Sequence, residues 1–355
     1  MTLLATFFTI LLALLLAGVA YQAIGSARDA RRFPPPGRLV GIGSHRLHLH
    51  VTGEGSPTVV LDSGLPATVL SWSRVQPEVS RFARVASYDR AGLGWSELGP
   101  MPRTSRRIVE ELHALLRAAE LPPPYVLVGH SFGGFTARLF AGSYPDEVAG
   151  LVLVDPIHPE EWQQPDEQLS RKLTGGARLA RYGGWLVRLG AGRFVVLLGR
   201  MGALRAARFM VTVMTGGAVA RDNNRMAPAS KLPESLRPAA SHFWLLPKSY
   251  LALAGQVEAL PESAAQVAEV KSLGDIPLRV LSADQSAPER LALQEAAARL
   301  SSNGKHTVVA GSGHWIQLDQ PEAVVEAIRE IVEAAHRRSG LQAGMPAKGT
   351  ATGTP

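Results

Sequence analysis

The chain has 355 residues, with 37 lysines and arginines against 30 aspartates and glutamates, so its formal net charge is +7. This length allows one large α/β domain with an insertion, or two ordinary domains. The absence of cysteine excludes disulfides, Cys-ligated zinc and a thiol nucleophile.

The N-terminal segment is apolar from Leu3 to Ile24, and its first charged side chain is Arg28. About 20 such residues cross the core of a bilayer. Residues 1–27 are therefore predicted to be a single-pass transmembrane anchor. A cleaved signal segment is the alternative, since "GVA" and "GSA" resemble small-residue cleavage sites. Arginines follow the segment and none precedes it, which by the positive-inside rule favours the cytoplasmic side for the rest of the chain.

Two segments of biased composition flank the rest of the chain. Residues 28–37 include three consecutive prolines and are predicted to form a stiff, extended linker. Residues 339–355 lack hydrophobic periodicity and contain few large apolar side chains, so they are predicted to be a disordered tail. The folded part is expected between them.

Strand and helix patterns alternate along this folded part. Eight strands are predicted, in the segments "RLVGI", "RLHLHVT", "TVVLDSG", "RVASYD", "YVLV", "GLVLVD", "LRVLSA" and "HTVVAGSG". Because helical patterns separate most of them, the predicted fold is α/β, with a mostly parallel eight-stranded sheet and helices on both faces. The first two strands form a hairpin that adds an antiparallel edge. The first two predicted helices lie near Val69 to Val79 and from about Thr104 to Glu120.

A long helical interval interrupts this alternation. Residues 156–275 read mostly as helix, so they are predicted to be an insertion between two strands. The α/β core is then expected to consist of residues 38–155 and 276–338.

One serine stands between glycines where an apolar strand ends, in "YVLVGHSFGGF". Apolar residues fall at helical spacing after it, so residues 129–133 are predicted to be a strand-to-helix turn with Ser131 at its apex. The pattern G-x-S-x-G is the signature of a nucleophile elbow. The alternative for this pattern alone is a glycine-rich helix start with a capping serine.

Several motifs together resemble the α/β-hydrolase superfamily. They are "LDSGLP", "YDRAGLGWSE", "VGHSFGGF", "GLVLVDP" and "GSGHWIQLDQPEAVVEAI", in the order and near the spacing of that superfamily. The resemblance covers about Gly37 to His336 and implies a serine hydrolase with Ser131 as nucleophile. Relatives with epoxide hydrolase or haloalkane dehalogenase chemistry carry aspartate at the elbow, so the serine disfavours those activities.

The superfamily's chain order of serine, acid and histidine implies the two partners of Ser131. His314 follows the last strand on a glycine-flanked loop and is predicted to be the general base. The acid stays open between Asp155 and Asp284, since each ends a strand beside the expected site. Resemblance to relatives with "LVD" and no later G-x-x-D turn favours Asp155.

Acyl transfer also needs hydrogen-bond donors for the oxyanion. The backbone N–H of Phe132, directly after the nucleophile, is expected to supply one, and Leu65 occupies the place of the second donor. Asp62 and Ser63 replace the superfamily's usual H-G before it. Since backbone donors do not depend on those side chains, the oxyanion hole is expected to be retained.

Two other patterns of polar residues have structural interpretations. Asp89 and Arg90 are predicted to form a structural ion pair in the loop that braces the site. His48 and His50 share one strand face, but no carboxylate lies near them in sequence, so no metal site is predicted. No cofactor is predicted either.

The insertion is basic as well as apolar. Every charged residue from Arg171 to Arg221 is basic, in the series Arg171, Lys172, Arg178, Arg181, Arg188, Arg193, Arg200, Arg205, Arg208 and Arg221. Apolar runs such as "FVVLL" interleave with these residues, which argues against nucleic acid as a partner. Relatives carry a helical cap at this place. The pattern suits a lid that rests on anionic lipid headgroups, and the alternative is a cap whose apolar faces pack on the core.

The predicted activity is that of a membrane-tethered serine hydrolase of the esterase and lipase type. Its expected substrate is a small-molecule ester or amide, lipid esters included. A proline iminopeptidase-like aminopeptidase and a non-catalytic ligand-binding protein on the same scaffold are the alternatives.

Overall fold

The computed structural model describes residues 2–200 and 230–343. One eight-stranded sheet forms the centre, in the order β1-β2-β4-β3-β5-β6-β7-β8. The strands are β1 (Arg38–Gly41), β2 (Arg46–Thr52), β3 (Thr58–Asp62), β4 (Val85–Tyr88), β5 (Tyr125–His130), β6 (Val148–Val154), β7 (Leu278–Ala283) and β8 (Gly304–Val309). β1 pairs with β2 and β2 with β4 in antiparallel fashion, while all other neighbours are parallel. The predicted mostly parallel sheet is confirmed.

Twelve α-helices occur within the described residues. They are α1 (Thr2–Arg32), α2 (Gln76–Val79), α3 (Ser105–Ala118), α4 (Gly133–Ser143), α5 (Glu167–Arg188), α6 (Ala191–Arg200), α7 (Arg237–Phe243), α8 (Pro247–Glu258), α9 (Leu260–Ala268), α10 (Pro288–Ala298), α11 (Ile316–Asp319) and α12 (Pro321–Ala343). Four 3₁₀ helices add to them, at Val69–Trp72, Pro145–Glu147, Pro159–Glu161 and Glu234–Leu236.

Helices cover both faces of the sheet because the central strands are apolar on both sides. In β6, Leu151 and Leu153 belong to a buried cluster that includes residues of α3 and α4. Val152 and Val154, the alternating residues of the same strand, belong to a second buried cluster with residues of α12. Successive side chains of a strand point to opposite faces, so each strand contributes to two cores.

The insertion at residues 156–275 is helical where the structure describes it, in α5 to α9 and two 3₁₀ turns. Its residues Ile157, Trp162 and Leu260 line a cavity together with core residues. The insertion therefore lies over the carboxyl edge of the sheet. The predicted basic residues Arg205, Arg208 and Arg221 lie outside the described residues.

Three predicted boundaries are wrong. The first helix continues through Arg32, because alanine and arginine are good helix formers and the first proline comes only at Pro34. The extended part of the predicted linker 28–37 is thus confined to its second half. The predicted tail 339–355 begins as the end of α12, and its residues 344–355 lie outside the described residues. The predicted helix from Val69 to Val79 is two short helices, since a proline occupies the first turn of α2.

Helix α1 is long and apolar enough to cross a membrane. Its mean hydropathy reaches 2.6 over a window in which no residue is buried.

The C-terminal half of α1, however, packs against the insertion. A side chain at Gly18 would overlap the carbonyl of Leu189, at the end of α5. The Gln22 amide donates to the carbonyl oxygen of Leu245 at 2.6 Å.

Candidate active site

The turn after β5 holds Ser131 in a strained conformation. Its φ is +52°, in the left-handed region that a non-glycine residue rarely adopts. A Cβ at Gly129 would overlap the carbonyl oxygen of Gly133, and a Cβ at Gly133 would overlap that of Asp62. Both glycines are therefore required by close backbone approach. Strain of this kind persists only where the surrounding structure imposes it, and it is typical of functional sites.

His314 and Asp155 form a hydrogen-bonded pair beside this turn. The Nδ1 of His314 lies 2.6 Å from Oδ2 of Asp155. Asp155 directly follows β6, has a φ of +40° and is 2% exposed. His314 lies on the loop after β8, and its side chain is 36% exposed. Since Nδ1 is bonded to the carboxylate, Nε2 is the nitrogen left for proton transfer.

Further contacts hold the Asp155 carboxylate in its ionised form. Its Oδ1 accepts from the Gln294 amide at 2.9 Å and from the Ala283 backbone at 3.2 Å. The Arg290 guanidinium lies 3.6 Å from Oδ2. Burial by itself would raise the pKa of Asp155, but the hydrogen bond and charge of His314, with Arg290 and Gln294, outweigh it and lower the pKa to about 2.

Asp284, the other candidate acid, has a different partner. Its exposed carboxylate accepts a hydrogen bond from the backbone of Gly311 at 2.6 Å. In the part of the chain that the structure describes, it makes no hydrogen bond or ion pair with His314. Of the two aspartates, Asp155 is thus the one in contact with the imidazole.

The two backbone donors predicted for an oxyanion lie at the same site. Leu65 and Phe132 both line the cavity that contains Ser131 and His314. Within residues 2–200 and 230–343, neither backbone N–H donates to a protein acceptor. Both donors are therefore available to a bound group.

Arg90 braces the loop that carries Leu65. Its guanidinium donates to Asp62 Oδ1 at 2.7 Å and to the carbonyl of Gly64 at 2.7 Å, and it lies 5.1 Å from the ring centre of Phe132. The side chain is 2% exposed. The predicted pair between Asp89 and Arg90 is wrong, because adjacent residues at a strand end point in different directions and each finds another partner.

Asp89 instead bonds to His48. Its Oδ2 lies 2.9 Å from the Nδ1 of His48 and accepts from the Trp95 backbone at 3.1 Å, while its Oδ1 accepts from the Val69 backbone at 2.9 Å. His48 thus has a buried carboxylate partner from a distant loop. These contacts hold the loop after β4 against β2.

The cavity lined by Ser131, His314 and the two backbone donors has a volume of about 690 Å³. Its walls are apolar at Ile157, Trp162, Leu260 and Trp315, and two cations, Lys231 and Arg290, also line it. Lys231 is already bonded to Asp319 at 2.5 to 2.6 Å. No group of three histidines or carboxylates suited to a metal ion occurs among the described residues. The arrangement suits acyl transfer by a serine with a histidine base.

A family model of the alpha/beta hydrolase fold matches residues 57–321, which is most of the chain. The protein is an alpha/beta hydrolase. This confirms the predicted superfamily, and the match spans both halves of the core and the insertion between them.

Known proteins similar to this hydrolase include hydrolases and proteins without an assigned activity. An uncharacterized protein of Bacillus subtilis, YqjL, is 34% identical over 107 residues, 30% of this chain and 42% of that one. The 2-hydroxy-6-oxo-2,4-heptadienoate hydrolase of Pseudomonas putida is 35% identical over 34% of this chain and 45% of its own. The matched segments thus span less than half of these relatives.

Among solved structures, a thermophilic esterase from Thermogutta terrifontis is similar in fold. The TM-score is 0.60 at 23% identity, covering 84% of this hydrolase and 98% of the esterase. At this identity, the likeness concerns the fold.

The sequence did not point to Gln294 and Arg290, which contact Asp155, or to His130, which contacts the hydrolase's His314. The Nε2 of His130 donates to the backbone carbonyl of His314 at 2.8 Å, and its ring lies 4.7 Å from that of His314 and 4.6 Å from Trp315, centre to centre. Burial, followed by the charge of His314, lowers the pKa of His130 to about 3, so the ring is neutral at neutral pH. Its position between Gly129 and Ser131 in the elbow was the available signal.

Proposed function

We propose that this hydrolase is a membrane-tethered serine hydrolase that cleaves a carboxylic ester or amide through an acyl-enzyme intermediate. Ser131 is the nucleophile, His314 the general base and Asp155 the acid that orients it. The supporting observation is the contact of His314 Nδ1 with the buried Asp155 carboxylate, next to a serine held at positive φ.

In the first half of the reaction, the Ser131 hydroxyl attacks the substrate carbonyl while His314 Nε2 takes its proton. The carbonyl oxygen becomes an anion and accepts from the backbone N–H groups of Leu65 and Phe132. The tetrahedral intermediate collapses as the imidazolium gives its proton to the leaving alcohol or amine. Asp155 stabilises the imidazolium throughout because its own low pKa keeps it ionised.

In the second half, a water molecule replaces the leaving group. His314 takes its proton, the resulting nucleophile attacks the acyl carbon on Ser131, and the carboxylic acid leaves as the serine regains its proton. The two halves use the same three side chains and the same two donors. Arg90, which holds the Leu65 loop, acts by positioning one of those donors.

The cavity walls support an apolar acyl group as the preferred substrate. Ile157, Trp162 and Leu260 reach the site from the cap, and Trp315 reaches it from the His314 loop. Apolar walls with a few polar groups at one end are typical of small-molecule sites. Helix α1 supports the membrane anchor, and the arginines after its apolar stretch support a catalytic domain on the cytoplasmic side.

Pre-steady-state kinetics test the acyl-enzyme. With p-nitrophenyl esters of increasing acyl length, the full chain should release a burst of p-nitrophenolate equal to the enzyme concentration before the slower steady state. Ser131→Ala should give no burst. Aminoacyl anilides, prolyl included, tested in parallel should be poorer substrates. Steady turnover in Ser131→Ala at the wild-type rate would rule the mechanism out.

A further inference from the structure

Helix α5 of the cap is apolar on two opposite faces. One face is buried against α8 and carries the small residues Ala177, Ala180 and Gly184. A Cβ on the neighbouring Gly183 would already touch the Tyr250 ring on α8, so the two helices are in close contact. The opposite face is exposed and carries large apolar residues, Leu179, Tyr182, Trp185, Leu186 and Leu189. Leu179 is 73% exposed and Trp185 61%.

This exposed apolar stripe, from Leu179 to Leu189, is unusual for a helix of a globular domain. A helix on the surface of a globular domain ordinarily turns its apolar residues to the core and polar residues to water. The exposed apolar surface continues into α6, where Phe194, Val195 and Leu197 are also exposed. Contiguous apolar surface on a monomer usually marks a contact with a protein or a membrane.

The stripe begins where the cap meets α1. The turn between α5 and α6 packs on α1 so closely that a Cβ at Gly190 would overlap the carbonyl oxygen of Gly18. A polar clamp then fixes the contact. Arg193 of α6 donates to Asp29 at 2.6 Å and to Gln22 at 3.1 Å, and its side chain is 9% exposed. The orientation of the cap relative to α1 is therefore set by the protein itself.

The position of this contact along α1 places the cap close to a bilayer. Helical residues 2–17 precede the contact at Gly18, and at 1.5 Å per residue they rise about 24 Å. The hydrocarbon core is about 30 Å thick. If α1 spans it, the α5–α6 turn lies within about 6 Å of its boundary with the headgroups. Tyr182 and Trp185 are exposed beside this turn, and such aromatic residues prefer that boundary.

The charges around the stripe identify its partner. Arg178 and Arg188 are exposed on α5, and the Arg188 guanidinium lies 5.8 Å from the ring centre of Trp185. Neither forms an ion pair within the described residues, whereas Arg181 is bonded to Glu258. Apolar and aromatic residues flanked by free arginines match the border between acyl chains and anionic headgroups. A second copy of the same surface would bring these arginines close to one another, where their like charges repel.

We propose that the exposed faces of α5 and α6 form a lipid-contacting surface, which holds the cap in the headgroup region of an anionic membrane beside α1. This inference rests on the membrane anchor of the proposed function. The cap, rather than a flexible linker, then sets the distance of the active-site entrance from the lipid. An apolar ester in the membrane would meet the cap before it meets water.

Because the chain has no cysteine, single introduced cysteines can report on depth. Leu186→Cys would be labelled with an environment-sensitive fluorophore in the full chain, reconstituted in vesicles of phosphatidylcholine and phosphatidylglycerol. Leu11→Cys on α1 and Val308→Cys on the exposed β8 edge are the matched references. Nitroxide lipids carrying the quencher at a shallow or a deep acyl position measure the depth of each label.

We expect shallow nitroxides to quench the Leu186 label several-fold more than the Val308 label, and deep nitroxides to quench the Leu11 label most. Quenching at Leu11 with none at Leu186 would overturn the lipid-contacting surface while leaving the anchor intact. No quenching at either position would overturn both. Dipolar broadening between spin labels at Leu186, without lipid quenching, would assign the surface to a second copy and overturn the inference. Burst kinetics of the same variants report separately on the proposed chemistry.

Discussion

The carboxyl edge of the sheet and the outer face of the cap differ in how their side chains are satisfied. At the sheet edge, buried polar groups find partners within the chain, as in the pairs of Asp155 with His314 and of Arg90 with Asp62. On the cap, large apolar residues such as Leu179 and Trp185 face outward with no such partner among the described residues. The sheet edge thus pairs its charged groups within the chain, whereas the cap leaves large apolar residues uncovered by the described residues.

This difference separates two kinds of response to mutation. Removing a charged group from the paired groups at the sheet edge leaves its partner buried and unsatisfied. The loss of stability or activity is then large and does not depend on the lipid present. Removing a group from the outer face of the cap changes little in water, and its effect depends on the lipid present.

The largest effect is expected at the two groups that make and break bonds. Ser131→Ala and His314→Ala should each lower kcat by about 10⁴-fold or more, since either loss prevents the same covalent step. Thermal unfolding of both variants shows whether each still folds, since His314→Ala also leaves the buried Asp155 carboxylate without its imidazole partner. Retention of more than a tenth of wild-type turnover by either variant would refute the assignment.

The next effect separates the two candidate acids. Asp155→Asn should lower kcat by about 10³- to 10⁴-fold, because the imidazole loses the carboxylate that orients it and stabilises its cation. Asp284→Asn, which affects only a contact with Gly311, should stay near wild type. The reverse result would transfer the role of the acid to Asp284.

Replacing Arg90 tests whether the buried charges at the sheet edge depend on one another for stability. Arg90→Met should lower the free energy of unfolding by about 3–5 kcal/mol, because it leaves the Asp62 carboxylate buried and unpaired. Arg46→Met is the matched control, since Arg46 pairs with Glu97 on the surface and should behave nearly as wild type. Chemical denaturation of both variants measures the difference. Equal stabilities would show that the Arg90 contacts are dispensable.

The lowered pKa of His130 predicts that the stability of the protein depends on pH. This pKa is about 3 in the native state, against about 6.5 in an unfolded chain. Between these values, the unfolded chain binds a proton that the native protein does not. Stability therefore falls as the pH decreases through this window, by up to about 1.4 kcal/mol per pH unit from this residue.

His130→Asn should remove that contribution. Unfolding free energies measured between pH 4 and pH 7 should then decline less steeply with acid than in wild type, whatever the absolute stability of the variant. His336→Asn, measured in parallel, shows the effect of removing a histidine at the surface. An unchanged slope in His130→Asn would mean that folding does not lower the pKa of His130.

The smallest effect is expected on the cap. Replacing Arg178 and Arg188 by glutamine should lower turnover of a lipid ester in anionic vesicles by a few-fold and leave a short soluble ester unaffected. The difference should fade as salt screens the attraction. Arg181→Gln is the control, because Arg181 is already bonded to Glu258. Equal losses on both substrates would assign these arginines to the fold of the cap.

The parts of the molecule that the sequence predicted are those governed by local patterns. Alternating apolar strands and helices predicted the sheet, and the glycines around Ser131 predicted the turn that holds it at positive φ. The choice between Asp155 and Asp284 stayed open, because both follow neighbouring strands of one sheet edge. Contact with His314 and burial distinguish them in the structure, since Asp155 is buried against the imidazole and Asp284 is exposed.

The contacts that sequence could not predict join residues far apart in the chain. Arg90 pairs with Asp62 across 28 residues, and Arg193 pairs with Asp29 across 164. Neither pair has a local signal, since each depends on how loops and helices pack. The docking of α1 on the cap was missed for this reason.

Covalent labelling with a fluorophosphonate tests the central claim most directly. The reagent forms a bond to an activated serine oxygen and releases fluoride. We predict that peptide mass spectrometry of the labelled full chain finds the adduct on Ser131. The labelling rate should fall sharply in His314→Ala and Asp155→Asn and stay near wild type in Asp284→Asn. Labelling of Ser131→Ala at the wild-type rate, or an adduct on another serine, would contradict the account.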